Sequence, residues 1–102
     1  MGKKSAIESL SRIVANVVVH KVLLKYTNKP ESVSHLDYEV REYRDTAILR
    51  AEEFNWNELD KKEIRLKALE IFKRRMVGRY GDVKFSMNDA EKILDEVMGE
   101  VF

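Results

Sequence analysis

The chain has 102 residues, of which 44% are hydrophobic and 36% are charged, and it contains no cysteine. This length fits one domain, which we expect to span residues 1–102, and the apolar content is sufficient for a folded core. The lack of cysteine excludes disulfides, thiolate metal sites and cysteine nucleophiles.

The first predicted element is a helix from about Ser5 to Tyr26. Ser5 and Glu8 form a capping-box pattern, in which the two side chains satisfy early backbone N–H groups. Behind it, apolar residues recur at helical spacing: Ile7, Leu10, Ile13, Val14, Val17 and Val18. The β-branched run at 17–19 would also suit a strand, so a strand over 13–24 stays an alternative. Residues 27–30 are expected to close the element.

A second helix is predicted to begin near Ser34, with Asp37 completing another capping box. Its apolar residues form a narrow stripe at spacings of three and four: Leu36, Val40, Tyr43, Ala47, Ala51 and Phe54. The connection at 55–57 is short, so helices two and three should be antiparallel neighbours.

A third helix is predicted to begin after the capping residue Asn57, to run to about Tyr80 and to stop at Gly81. It is apolar on two sides. One side has Leu59, Leu66, Leu69, Met76, Val77 and Tyr80, and the other has Ile64, Ala68, Ile71 and Phe72. Such a helix is either central in a bundle or shared with a partner. Between the two sides, Glu63–Lys67 and Glu70–Arg74 have the spacing of intrahelical ion pairs.

A short extended linker at 82–85 precedes a fourth helix, which Ser86 and Asp89 should cap. Its apolar face is supplied by Ala90, Ile93, Leu94, Val97, Met98, Val101 and Phe102. The sequence therefore predicts an all-α bundle of about four helices, in which helix three, at about 57–80, is central.

Net charge alternates along the chain although the total is only +1. The sums are +5 over 1–29, −4 over 30–56, +4 over 57–80 and −4 over 81–102. Helices of opposite sign are expected to pack side by side through exposed ion pairs.

The motif search favours a protein without catalytic, cofactor or metal sites. His35, Asp37 and Glu39 alternate, a spacing that gathers ligands on a strand and not on the predicted helix. His20 is expected at an ordinary surface position beside Asn16. Adjacent carboxylates on a helix point in different directions and do not converge on one substrate atom. We therefore expect no enzyme and no cofactor.

The second apolar side of helix three predicts a function in protein–protein association, as a homodimer or an adaptor subunit. The candidate interface comprises Ile64, Ala68, Ile71 and Phe72, together with Trp56. For Trp56 we favour folding back over the nearby core, with anchoring of a partner as the alternative. The alternative function is nucleic-acid association through basic residues of helix one and the end of helix three: Lys73, Arg74, Arg75 and Arg79.

The expected location is the cytoplasm, because no run of about 18 apolar residues exists and charged residues interrupt the first apolar stretch. The absence of glutamine and cysteine, with abundant lysine and glutamate, is typical of a protein from a thermophile.

Overall fold

The computed structural model describes residues 2–27, 31 and 33–102. Four α-helices make up most of this part of the chain: α1 (Lys3–Tyr26), α2 (Val33–Ala51), α3 (Glu58–Arg79) and α4 (Met87–Val101). Residues 13–24 are continuous helix, so the strand alternative is wrong. The prediction of an all-α bundle of four helices is confirmed.

The central position expected for helix three is taken by α1. Within the described residues, α1 packs against all three other helices and α4 touches all the others, whereas α2 and α3 do not touch each other. The expected antiparallel contact between helices two and three is therefore not formed. The reason is in the side chains. Those of α1 are buried on several sides, including Val14, Val17, Val18 and Val22, whereas α3 buries a single side.

One hydrophobic core contains residues of all four helices. Phe72 of α3 is 1% exposed and meets the ring of Phe85 edge to face, with 5.4 Å between the centroids. The only buried polar side chain of the described residues is Ser11, whose hydroxyl donates to the Ile7 carbonyl oxygen at 2.6 Å. This internal bond lets a serine sit in the core without an unsatisfied group.

Helices three and four begin as predicted. The Asn57 side chain accepts a hydrogen bond from the Asp60 backbone N–H at 2.8 Å, and the Asp60 carboxylate accepts from Asn57 N–H in return. The Ser86 hydroxyl accepts from the backbone N–H of Asp89. The Asp89 carboxylate, however, faces Tyr26 and does not complete the predicted box.

The first two helices begin differently from the prediction. The residue before α1 is Gly2, which makes no side-chain cap, so Ser5 lies inside the helix and its predicted capping role is wrong. Helix α2 begins at Val33, which places Ser34 inside its first turn. The predicted end of helix one falls partly on residues 28–30, outside the described residues.

Ion pairs join the helices in the way that the alternating charge predicts for α4. This acidic helix pairs with the basic α1 and α3, through Lys21–Glu100 at 3.3 Å, Lys25–Asp89 at 3.1 Å and Arg65–Asp95 at 2.7 Å. The two basic helices α1 and α3 also pack together. Their contact uses the few acids they carry, in the pairs Lys3–Asp60 and Glu8–Lys67.

Candidate functional site

The predicted partner residues of α3 lie in the chain's own core. Ile64, Ala68 and Phe72 are at most 1% exposed, and Ile71 is half-buried against the same core. These side chains are not available to a partner in the folded chain. The sequence left open whether this side of α3 is core or interface. It is core, because it packs against α1.

Trp56 folds back onto the bundle. Its indole N–H donates to the carbonyl oxygen of Ala51 at 2.7 Å, and its ring packs on Phe54 and Phe102 with centroid distances of 5.6 and 5.9 Å. The ammonium of Lys3 lies 5.5 Å from the ring centroid. The side chain is half-buried, so it covers one end of the core, as one of the two sequence interpretations expected.

The opposite side of α3 presents apolar side chains to solvent. Leu59, Leu66 and Val77 are 76%, 60% and 81% exposed. They are spaced by seven and eleven residues, about two and three helical turns, so they lie on one line roughly 27 Å long. Sequence analysis placed these three residues on one side with Leu69, Met76 and Tyr80, but those three pack against the core, so the predicted side is divided. Only the position of α1 decides which side of α3 is covered.

Charged residues flank this line with one sign on each side. At about 100° of rotation per residue, Glu63 and Glu70 lie about 20–40° to one side and Lys62 and Lys73 about 40–60° to the other. All four are exposed. We call the apolar line with these four residues the outer face of α3. Arg74 lies beyond the acidic flank, at about 60°.

The intrahelical ion pairs predicted along α3 do not form among the described residues. Lys67 turns toward α1 and donates to the Glu8 carboxylate. That bond, with the charge of Lys67, lowers the pKa of Glu8, and the same bond raises the pKa of Lys67. Glu63 therefore loses its predicted partner, and neither Glu63 nor Glu70 forms an ion pair in the described part of the chain.

The predicted basic cluster is divided between two sides of α3. Lys73 and Arg74 are exposed near the outer face, whereas Arg75 and Arg79 line a cleft on the other side of the helix. None of these four bases forms an ion pair with another described residue. The cluster is therefore not one continuous basic strip.

The cleft opens where α2 and α3 fail to meet, and α1 forms its floor. Its volume is about 660 Å³. We call it the α1–α2–α3 cleft; its lining includes Asn16, Val19, His20 and Leu23 of α1, His35, Leu36, Glu39 and Tyr43 of α2, and Arg75 and Arg79 of α3, with Tyr80 next to them. The floor is mixed, since Asn16 and His20 are polar whereas Val19 and Leu23 belong to the buried core.

Two histidines share one carboxylate in this cleft. The Nε2 atom of His20 lies 2.5 Å from Oε2 of Glu39, and that of His35 lies 2.8 Å from Oε1. His20 also places Nδ1 2.7 Å from the carbonyl oxygen of Asn16 and its ring 5.2 Å from that of Tyr43.

The position of His20 differs from the sequence expectation. Its side chain is 13% exposed, so the residue is not an ordinary surface histidine. Sequence could have paired His35 with Glu39, which are four residues apart on one helix. It could not place His20 against them, since that contact depends on how α1 and α2 pack.

The two arginines of the cleft carried a signal that sequence analysis missed. Arg75 and Arg79 follow Ala68 and Phe72 by seven residues each, so they continue the inward side of α3 beyond the core. A charged residue on an inward side indicates a polar cavity at that end of the helix.

The described residues contain no group of three or more histidine or carboxylate side chains that could hold a metal ion; His20 and His35 bind different oxygens of Glu39. No helix among them has both the length and the apolarity needed to cross a bilayer. No family model, curated protein or solved structure matches the chain at a significant level.

Proposed function

We propose that the protein acts through protein–protein association and not through catalysis, and that it pairs with a second copy through the outer face of α3. The observation that carries the proposal is the line of three exposed apolar side chains, Leu59, Leu66 and Val77. A solvent-exposed helix face usually carries polar residues, and an aligned apolar row marks a surface that associates.

The flanking charges favour a second copy that runs in the same direction. In a parallel pair the acidic flank of one α3 faces the basic flank of the other, so Glu63 meets Lys62 of the second copy at nearly the same height. Glu70 and Lys73 also face each other across the pair, with a height difference of about 4.5 Å. An antiparallel pair would bring the two basic flanks together, which is unfavourable because like charges repel. Arg74 lies further round the helix and weakens this complementarity at one end only.

The expected association is weak. A single helix face buries less than the roughly 800 Å² per partner of a standard interface. Exposed ion pairs add only about 0.2–1 kcal/mol each. We therefore expect a dissociation constant in roughly the micromolar to millimolar range.

The experiment is the solution mass as a function of protein concentration, measured for the unchanged chain and for Leu66→Lys. The variant should remain monomeric at concentrations where the unchanged chain dimerises. Leu49→Lys is a matched control, because Leu49 is 65% exposed on α2 and lies outside the proposed surface. A dimer that Leu49→Lys disrupts and Leu66→Lys leaves intact would refute the proposal.

Charge reversal tests the direction of the pair. Glu63→Lys and Lys62→Glu should each weaken the parallel dimer by about tenfold, since two symmetric attractive contacts become repulsive. A mixture of the two variants should regain affinity, because at this height the basic flanks of one meet the acidic flanks of the other. If Lys62→Glu instead tightens the dimer, the pair is antiparallel, since the introduced carboxylate would then face Lys73 of the second copy.

A second candidate function, nucleic-acid association, is supported by four bases that form no ion pair within the described part of the chain: Lys73, Arg74, Arg75 and Arg79. Their division between two sides of α3 makes it the weaker proposal. Binding of a DNA or RNA duplex would fall steeply with salt because phosphate contacts release counterions. Fluorescence anisotropy of a labelled duplex at low and high salt would detect this. No anisotropy change at low salt would rule this function out.

A further inference from the structure

We propose that the α1–α2–α3 cleft binds a small phosphomonoester attached to a planar ring, with Arg75 and Arg79 as its phosphate contacts. This site is separate from the proposed dimer surface. Arg75 and Arg79 lie about 160–200° around α3 from Leu59, so they face away from the outer face.

The charge of the cleft favours an anion. Arg75 and Arg79 lie four residues apart, which places both guanidinium groups on one wall. Among the described residues neither forms an ion pair. The one acidic residue of the lining, Glu39, already accepts from His20 and His35. Guanidinium groups match phosphate oxygens in geometry and charge, and they bind them with paired hydrogen bonds.

A position near the C-terminal end of α3 does not by itself explain why Arg75 and Arg79 face the cleft. Cations near a helix C-terminus interact favourably with the helix dipole wherever they lie around the axis. Arg75 is half-buried and Arg79 is exposed, but both line the cleft on the side of α3 that elsewhere carries Ala68 and Phe72. A half-buried Arg75 carries a desolvation cost that a bound anion would offset.

The size and lining of the cleft indicate more than a bare phosphate. A volume of about 660 Å³ lies within the roughly 300–1,000 Å³ of typical small-molecule sites. Tyr43, Tyr80 and the His20 ring supply aromatic surface to the same cleft. Rings of this kind stack on planar heterocycles.

The test is isothermal titration calorimetry of the full chain with three probes: adenosine monophosphate, adenosine and inorganic phosphate. Adenosine monophosphate should bind more tightly than either of the others. Arg79→Gln should weaken it by about tenfold or more, because a charge-assisted hydrogen bond is lost. Arg75→Gln should act in the same direction.

Arg74→Gln is the matched control. It removes the same charge from the same helix, but Arg74 does not line the cleft, so its effect should be less than about twofold. Equal weakening by Arg74→Gln and Arg79→Gln would overturn the site, since it would show non-specific attraction to the basic helix end. Adenosine monophosphate binding no more tightly than phosphate or than adenosine would also overturn the proposal. Circular dichroism of each variant excludes a loss of fold as the cause.

The two proposals fail separately. Leu66→Lys should abolish the dimer and leave the titration with adenosine monophosphate unchanged, because Leu66 lies outside the cleft. Arg79→Gln should leave the concentration dependence of the mass unchanged.

Discussion

Replacing Phe72 by alanine tests whether the inward side of α3 is core, as the structure has it, or a partner surface. The side chain is 1% exposed and packs edge to face on Phe85. Removing a fully buried phenylalanine costs about 3–5 kcal/mol, from lost burial and from the cavity that remains. A domain of this size has a total stability of about 5–15 kcal/mol. The variant should therefore lose a large share of its stability, with Tm falling by roughly 4–8 °C for each kcal/mol.

The assay is urea unfolding followed by far-ultraviolet circular dichroism at a protein concentration low enough to keep the chain monomeric. Leu66→Ala is the control on the same helix. Leu66 is 60% exposed, so its truncation should change the free energy of unfolding by no more than about 0.5 kcal/mol. A Phe72→Ala variant that unfolds at the same urea concentration as the unchanged chain, but loses the ability to dimerise, would refute the packing described here.

Three further changes test local features. Asn57→Ala removes the side chain that caps α3 and should lower the free energy of unfolding by about 1 kcal/mol in urea titrations. Trp56→Phe removes the N–H that donates to the Ala51 carbonyl and should cost about 1 kcal/mol, measured the same way. The pKa of Asp89 is held below its ordinary value of 3.8 by hydrogen bonds from Tyr26 and then Lys25. The ionised Asp89 carboxylate therefore stabilises the fold above pH 3.8, and this stabilisation is lost as the pH falls through the lower folded-state pKa. Asp89→Asn should be less stable than the unchanged chain at neutral pH, and the difference should vanish in strong acid; a constant difference would contradict the assignment.

The four helices could be predicted from sequence because each carries a periodic apolar pattern, and two of them carry effective caps. Asn57 and Ser86 were identified from local residue types alone, since a capping bond joins residues three apart. The capping role predicted for Ser5 fails, because α1 begins at Lys3 and its first turn already packs on α3 through the Lys3–Asp60 pair.

The central helix could not be predicted from periodicity. Apolar residues on two sides of α3 suggested burial on both, yet one side is exposed at Leu59, Leu66 and Val77. Which side of α3 is buried depends on α1, whose apolar side chains lie on several sides and are covered by the three other helices. The cleft residues likewise come from three helices, so their convergence depends on packing and not on any local spacing.

The central position of α1 has a consequence for how the protein is made. This helix leaves the ribosome before α2, α3 and α4, and those are the elements that cover it. Its valines therefore lack part of their cover on the nascent chain until α2, α3 and α4 have each followed. An apolar segment is prone to aggregation until the helices that cover it have been made. The core of this bundle is therefore completed only when α4, which packs against all three other helices, has joined it.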